Sequence, residues 1–377
     1  MKTVGYLLFA LNYYLCTLFV KRDPKLVFCL MTNDAGPHSN VGMTARALKK
    51  EGCRFVIYDR EARARAGKLG FYFRYPRALA ACSVILEDNI LLPMAFLHFP
   101  ANVQVIQLWH GTGTIKKFGQ DANTGYLAKL ERRANRTITH LIVNGPAQVS
   151  QYAGAFGIPA EKTAVTGLPR TDLLFAAAEN RPASWFPGKK LILYAPTFRD
   201  NETEHPRMML DPETFLSALP ENCILGIRLH PFVAARYSLP GAVKADAGFS
   251  GPPPAAGTPV PRVYDFSDYP DLDRLLVQTD VLVTDYSSTA FDFAILDRPM
   301  IFYAYDLEQF RTESRGFYQD YETMVPGPVV RTTKEAAQAV LAGDPEAERR
   351  HRFFRENFRY TDGHSTERVT ALLHDGR

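Results

Sequence analysis

The chain has 377 residues, 46% of them hydrophobic and 22% charged, with a formal net charge of +4. That balance excludes a disordered or fibrous polymer, and the length exceeds one ordinary core, so two domains are expected. Residues 1–180 carry 22 Lys and Arg against 12 Asp and Glu, while the remainder carries 22 against 28. A basic front half suits an anionic partner such as a phosphate polymer or a lipid surface; uneven surface charge is the plainer reading. The five cysteines (Cys16, Cys29, Cys53, Cys82, Cys223) are scattered without a CxxC pair. This pattern points to a reducing compartment, away from a zinc ribbon or a disulfide frame.

Residues 4–20, VGYLLFALNYYLCTLFV, form the first element, an apolar helix between Lys2 and Lys21-Arg22. It is just long enough to cross a bilayer, but Asn12 near its middle would be costly there. A helix lying in the interface, its tyrosines and flanking cations at headgroup level, is the preferred expectation. A single span and a buried core helix are the alternatives.

Strands are expected at Leu26–Met31, Arg54–Tyr58, Ser83–Leu86, Val103–Trp109, Leu141–Asn144 and Thr163–Thr166. They resume after a polar stretch at Leu191–Ala195, Ile224–Leu229, Val281–Thr284 and Met300–Tyr303. Most are continuous apolar runs, the pattern of strands covered on both faces. Helices fit between them, as at Val41–Lys50 with Ser39 or Asn40 as N-cap. This rhythm predicts two doubly wound parallel sheets in series. The Pro- and Gly-rich stretch 248–261 reads as a loop, and 346–373 as two helices about a turn at Asp362-Gly363-His364.

Open parallel sheets bind ligands at the carboxyl ends of their strands, so the residues just past each apolar run carry the chemistry. They include His110-Gly111-Thr112-Gly113 and Gly167-Leu168-Pro169-Arg170 in the front half. In the back half they are Thr197-Phe198-Arg199, His230-Pro231 and Asp285-Tyr286-Ser287-Ser288. In VLVTDYSSTAFDF (281–293) a strand runs into a helix whose start, with Ser287 and Ser288, could hold a phosphate. A plain cap with Asp292 complementing the dipole is the alternative. Lys116 and Lys117 could meet phosphates or be solvated. Walker A, GxGxxG, HExxH and GxSxG patterns and base-reading modules are absent, so no nucleic-acid partner is expected.

In order along the chain, QLWHGTGTIKKFG, VTGLPRTDLLF, ILYAPTFRD, LHP, DLDRLLVQTDVLVTDYSSTAFDFAILDRPMIFYAYD and TDGHSTERV resemble the CDP-glycerol glycerophosphotransferases. These enzymes prime or extend poly(glycerol phosphate) wall polymers. The resemblance implies a GT-B fold, two facing Rossmann-like doubly wound domains with a cleft. It divides the chain into a membrane-associating helix at 1–24, an acceptor-side domain at 25–182 and a donor domain at 183–345. Helices at 346–377 would pack back on the first domain.

Residue by residue, the resemblance implies His110 as catalytic base and His230 at the donor diphosphate. Thr197, Arg199, Asp285, Ser287, Ser288 and Asp292 fall on the donor side, and Asn40, Lys116 and Arg170 on the acceptor side. One departure stands out: many members have Asp-Asn-Pro-Lys where this chain has HSNVG, so Ser39 replaces an aspartate.

The expected reaction transfers glycerol phosphate from CDP-glycerol to a lipid-linked or polyanionic glycan acceptor, in teichoic-acid-like or capsular polymer synthesis. It would run at the cytoplasmic face of the membrane and release CMP. No dedicated metal ligands and no firm cofactor are implied, with a weakly held Mg2+ at the diphosphate left open. The alternatives are CDP-ribitol as donor, a nucleotide-sugar GT-B glycosyltransferase and a non-catalytic binder of anionic polymers, which would use the basic residues of 54–77.

Overall fold

Thirteen strands in two all-parallel sheets organise the described part of this computed structural model, residues 2–199, 207–251 and 260–375. Residues 252–259 of the expected Pro- and Gly-rich loop lie outside it. The chain divides into two units. The first comprises Met1–Gly113, Lys117–Asp172 and Glu356–Arg377, the second Thr114–Lys116 and Leu173–Arg355.

In the first unit the strands are β1 (Asp23–Met31), β2 (Arg54–Asp59), β3 (Cys82–Glu87), β4 (Gln104–Gln107), β5 (His140–Val143) and β6 (Thr163–Val165). They run in the order β2-β1-β3-β4-β5-β6. Alternate residues go to opposite faces, as the pleat requires. Val27, Cys29 and Met31 of β1 join one core with Val41 and Leu48 of the helix Asn40–Lys50 and with Val369 and Leu373 near the C-terminus. Phe28 and Leu30 join the other with residues of four further helices. Burial on both faces explains why these strands read as continuous apolar runs.

Four helices matter below: α1 (Lys2–Phe19), α2 (Asn40–Lys50), α3 (Arg60–Ala81) and α4 (Gly125–Asn135). Phe9, Ala10 and Tyr13 of α1 are buried, and Asn12 donates to the carbonyl of Tyr72 in α3. Asn12 thus has a protein partner. The opposite face of α1 exposes Val4, Leu7, Leu8, Leu11, Tyr14, Leu15 and Leu18, spaced three and four residues apart along one helical stripe. Among the described residues no helix is long and apolar enough to cross a membrane. The basic segment 54–77 forms β2 and most of α3, whose Tyr75 and Leu79 are buried while its arginines are exposed.

The second unit has β7 (Lys190–Tyr194), β8 (Cys223–Ile227), β9 (Val243–Lys244), β10 (Val263–Asp265), β11 (Val281–Thr284), β12 (Met300–Tyr303) and β13 (Val329–Val330). Their order is β13-β12-β11-β7-β8-β10-β9. Three of them, β9, β10 and β13, were not expected, because two or three residues are too few to show an apolar period.

The C-terminal helix Ser365–Asp375 belongs to the first unit and is tied there by one carboxylate. Asp172 accepts from the N–H of Ser365 and of Thr366 (2.8 Å each) and from the Thr366 hydroxyl (2.7 Å). Unpaired N–H groups at a helix start need such partners. Asp172→Ala should therefore destabilise the protein by about 1–2 kcal/mol, read from the urea midpoint; an unchanged midpoint would show that the helix is held by its apolar face alone.

Candidate active site

In the first sheet the strand order reverses at β1 and β3, the place where open parallel sheets leave a ligand crevice. Asn33 and Asp34 follow β1 there, Asp88 follows β3, and His110 lies three residues past β4. The Asp88 side chain is buried, and its carboxylate accepts from the N–H groups of Thr32 (2.9 Å), Asn33 (3.1 Å) and Asp34 (3.0 Å). Its main-chain carbonyl lies 2.9 Å from Nδ1 of His110. A carbonyl only accepts, so this bond keeps the ring proton on Nδ1 and leaves the lone pair on Nε2. Asn33 Nδ2 also lies 2.9 Å from Nδ1; with the ring proton on Nδ1, the amide has to be turned end for end so that its oxygen accepts there.

Burial pushes the His110 pKa below the usual histidine value; Asp88 and Asp34 oppose that shift, and Arg170 adds to it. At neutral pH the ring is therefore neutral with a basic Nε2, the state a general base requires.

The turn that carries His110 is strained and held. Trp109 has φ 51°, a left-handed conformation costing a bulky residue roughly 1–2 kcal/mol. Its N–H donates to Gln107 (2.8 Å), and its indole stacks on Phe118 with centroids 5.2 Å apart. From beneath, the Asn40 amide donates to the carbonyls of Leu108 (3.2 Å) and Trp109 (3.1 Å), and its oxygen accepts from the N–H of Arg170 (3.0 Å). Further along, the carbonyl of Gly111 accepts from Tyr152, and that of Thr112 from Asn144 and Gln148. Strain kept in place by so many partners is characteristic of sites where geometry matters.

Asn40, expected on the acceptor side, is thus buried and positions the His110 turn. Ser39, which replaces the family aspartate, caps α2: its hydroxyl accepts from Gly42 and donates to the carbonyl of Gly36. A Cβ at Gly42 would lie 2.4 Å from that same carbonyl, so the close approach of loop and helix requires glycine there.

The second sheet reverses at β7 and β11, and the residues past these two strands meet in a buried ion cluster. Arg199 is 2.9 Å from Asp285 and bonds both oxygens of Asp306 (2.7 and 3.0 Å) and the carbonyl of Thr197 (2.6 Å). Its guanidinium lies 4.8, 5.3 and 5.1 Å from the rings of Tyr286, Tyr305 and Phe310. The two carboxylates hold it protonated far above its already high pKa against the effect of burial. Asp285 also accepts from the N–H of Thr197 (2.8 Å) and Tyr286 (2.6 Å). Arg199 and Asp285, expected on the donor side, hydrogen-bond to each other and to the surrounding loop.

The other back-half residues lie around this cluster. The Thr197 hydroxyl is buried with no hydrogen-bond partner among the described residues, which is costly for a polar atom unless a ligand completes it. His230, at the tip of β8, stacks on Phe198 with centroids 5.1 Å apart. Desolvation lowers its pKa below the usual histidine value. Ser287 accepts from the N–H of Thr289 and bonds its hydroxyl, while Ser288 begins the helix Thr289–Ala294 without a side-chain cap. Asp292 is buried in that helix. Lys116, expected on the acceptor side, belongs to the second unit, where it bridges to Phe317 and its Nζ lies 5.8 Å from the Phe310 ring centroid.

Sequence reasoning missed Asp88, whereas Asp306 follows the apolar run Met300–Tyr303 and lies where the strand-tip rule looks. Asp88 sits in VILEDN immediately past a strand, so the rule that found His110 reaches it once β3 is extended by one residue. Its neighbour Glu87 is buried beneath Gln107 (3.1 Å), and burial with the Asp88 charge pushes its carboxyl pKa up to about 8. Among the described residues no group of three or more His, Cys, Asp or Glu side chains could hold a metal ion.

Glu87 makes stability pH-dependent. The folded state keeps a proton that the unfolded chain, with a pKa near 4.5, releases, so stability falls as pH rises from there to about 8. Glu87→Gln should remove that slope, gaining on the order of 1–3 kcal/mol at pH 8 and little at pH 5. Urea titrations at both pH values check this; parallel curves for the two proteins would contradict it.

Comparison with known proteins agrees with this architecture. A family model described as CDP-glycerol:poly(glycerophosphate) glycerophosphotransferase matches residues 20–375. The teichoic acid ribitol-phosphate polymerase TarL of Staphylococcus aureus is 32% identical over 315 residues, covering 80% of this chain and 53% of that protein. The teichoic acid glycerol-phosphate transferase of the same organism is 31% identical over 295 residues, covering 71% of this chain and 70% of the relative. The chain thus spans about half the length of the first of these relatives. The solved structure of the wall teichoic acid polymerase TagF superposes with a TM-score of 0.75 at 22% identity, over 97% of this chain and 92% of that one. A UDP-N-acetylglucosamine 2-epimerase from Listeria monocytogenes follows at a TM-score of 0.57 and 13% identity, covering 94% and 96% of the two chains. The fold is GT-B, with two Rossmann-like parallel-sheet units.

Proposed function

The chain belongs to the CDP-glycerol:poly(glycerophosphate) glycerophosphotransferase family, and on that premise we propose that it transfers glycerol phosphate from CDP-glycerol to an acceptor hydroxyl. The acceptor is a membrane-linked glycan or a poly(glycerol phosphate) chain, in synthesis of a teichoic-acid-like polymer. The observation that carries the reading is His110, held by the Asp88 carbonyl at the reversal point of its sheet with Nε2 basic.

In this reading the acceptor oxygen attacks the phosphorus that bears glycerol, and His110 Nε2 takes the hydroxyl proton. A new phosphodiester forms, the phosphoanhydride bond breaks, and CMP leaves with the bonding electrons. Such transfers need positioning and charge stabilisation rather than covalent catalysis. The hydroxyls of Thr197, Ser287 and Ser288 and a neutral N–H of His230 serve the donor diphosphate, with Arg199, Asp285 and Asp292 shaping their support. Arg170 and Lys116 supply positive charge for the phosphates of the substrates, and Asn40 sets the turn that carries His110.

The apolar stripe of α1, followed by Lys21 and Arg22, supports peripheral attachment to the cytoplasmic membrane face. A second reading, CDP-ribitol as donor, is supported by relatives such as TarL, named for ribitol phosphate.

His110→Ala should lower kcat by about 10²- to 10⁴-fold at little change in donor KM, whereas His230→Ala should affect both. In the parent protein kcat should be flat at neutral pH and fall on the acid side, through a pKa below the ordinary 6.5 of histidine. Nucleotide release from CDP-glycerol, CDP-ribitol and nucleotide sugars, with a glycerol-phosphate acceptor, tests the reaction class. Acceptor-dependent CMP from CDP-glycerol is expected. CMP from CDP-ribitol alone would favour the second reading, and product only from a nucleotide sugar would overturn both.

A further inference from the structure

At the opposite, amino-terminal edge of the first sheet lies a cavity of about 380 Å³ that the proposed reaction does not use. Its walls come from the segment 95–103 leading into β4, from the end of α4 and the approach to β5, and from Lys162 ahead of β6. Four lining residues are basic, His98, Arg133, Arg136 and Lys162, and none is acidic. Lys162 is committed, donating to the carbonyls of Ile138 and Arg136 at the end of α4. The two arginine side chains are not. Both are exposed, neither has an ion-pair partner among the described residues, and Arg133 has only the ring of Phe96 beneath it, 4.9 Å from the centroid. Two unpaired guanidiniums at the mouth of a cavity without carboxylates favour a phosphate-bearing ligand, which guanidinium matches in geometry and charge.

The cavity is built onto the apolar helix. Tyr13 of α1 donates to the carbonyl of His98 (3.0 Å) and meets Phe99 edge-on at 5.5 Å, and Tyr14 donates to the carbonyl of Phe96 (3.2 Å). Tyr14 itself belongs to the exposed stripe of α1, so the stripe is hydrogen-bonded to the segment that forms the cavity wall. Tyr126 and Leu127 at the start of α4 add further exposed apolar surface, and Tyr126 bonds Thr3 of α1 (3.0 Å). A helix lying at headgroup depth thus brings the arginines of this cavity alongside lipid phosphates.

We infer that the cavity ringed by Arg133 and Arg136 is a binding site for the phosphate headgroup of an acidic membrane phospholipid, engaged when α1 lies in the interface. The inference rests on the membrane attachment proposed above and adds its lipid selectivity. It assigns selectivity to a defined site, distinct from the diffuse basic charge of the front half.

The test is sedimentation of the full chain with vesicles of neutral phosphatidylcholine alone or with a third phosphatidylglycerol. Parent protein should bind the acidic vesicles at least about thirtyfold more tightly. Arg133→Gln with Arg136→Gln should remove most of that preference, a loss of roughly thirtyfold for two charges near an acidic bilayer, and leave binding to neutral vesicles unchanged. A charge-matched pair on α3, Lys68→Gln with Arg77→Gln, should cost threefold or less.

Equal losses in the two pairs would overturn the inference in favour of diffuse charge, as would a parent protein without lipid preference. Release from acidic vesicles by soluble glycerol phosphate or inorganic phosphate at millimolar concentration, lost in the arginine pair, would assign the cavity to a free phosphate instead. Failure of the parent protein to bind either vesicle would refute the membrane attachment, and the inference with it. Binding to neutral vesicles that is lost in Leu11→Asp but kept in the arginine pair would show attachment standing even where lipid selectivity fails.

Discussion

One residue, Asp88, ties the front half of the molecule together. Its carboxylate gathers three successive N–H groups of the loop after β1, and its carbonyl sets the proton of the His110 ring. A buried carboxylate with three donors has little freedom to move, since each lost bond would leave a polar group unpaired in a low-dielectric interior. The sheet needs this residue for another reason as well. At the reversal point β1 and β3 end side by side, and the Asp88 carboxylate takes up the N–H groups that follow β1. The same bonds that finish the fold therefore hold the His110 ring, and the left-handed Trp109 and the amide of Asn40 complete the support from the far side.

The second unit solves a similar problem with charge. Arg199 is enclosed by two carboxylates and three aromatic rings, a cluster in which every partner also holds a piece of loop past β7, β11 or β12. Removing one member of such a buried pair strands the others, at a cost of about 3–5 kcal/mol. The cluster leaves the hydroxyl of Thr197 unmatched, and His230 stacks on Phe198 with its pKa lowered by desolvation.

The parallel sheets were legible in the sequence because their strands, covered on both faces, are continuous apolar runs ending in Gly, Pro, Asn or Asp. His110, His230 and the Asp285–Ser288 segment followed from where those runs stop. Asp88 was hidden by one residue of strand length, and the edge strands β9, β10 and β13 by having too few residues for any period. The protein partners of Arg199 and Asn40 were illegible for a different reason. Whether a polar side chain faces ligand or protein depends on partners 68 to 130 residues away in the chain, as in the bonds of Asn40, or 86 to 107 away, as in those of Arg199. The strain at Trp109 likewise has no local signature, since tryptophan is not a residue that favours positive φ. The exposed side of α1 was readable as apolar, but which face would be buried was set by α3.

The account stands on the protonation state of one ring, and nitrogen NMR of the histidine-labelled protein reads it directly. His110, assigned by comparison with His110→Gln, should show a protonated Nδ1 and an unprotonated Nε2 at pH 7.5, and should titrate below the ordinary value of 6.5. A proton on Nε2, or a pKa above that value, would mean that the Asp88 carbonyl does not set the ring and that His110 is not held ready as a base.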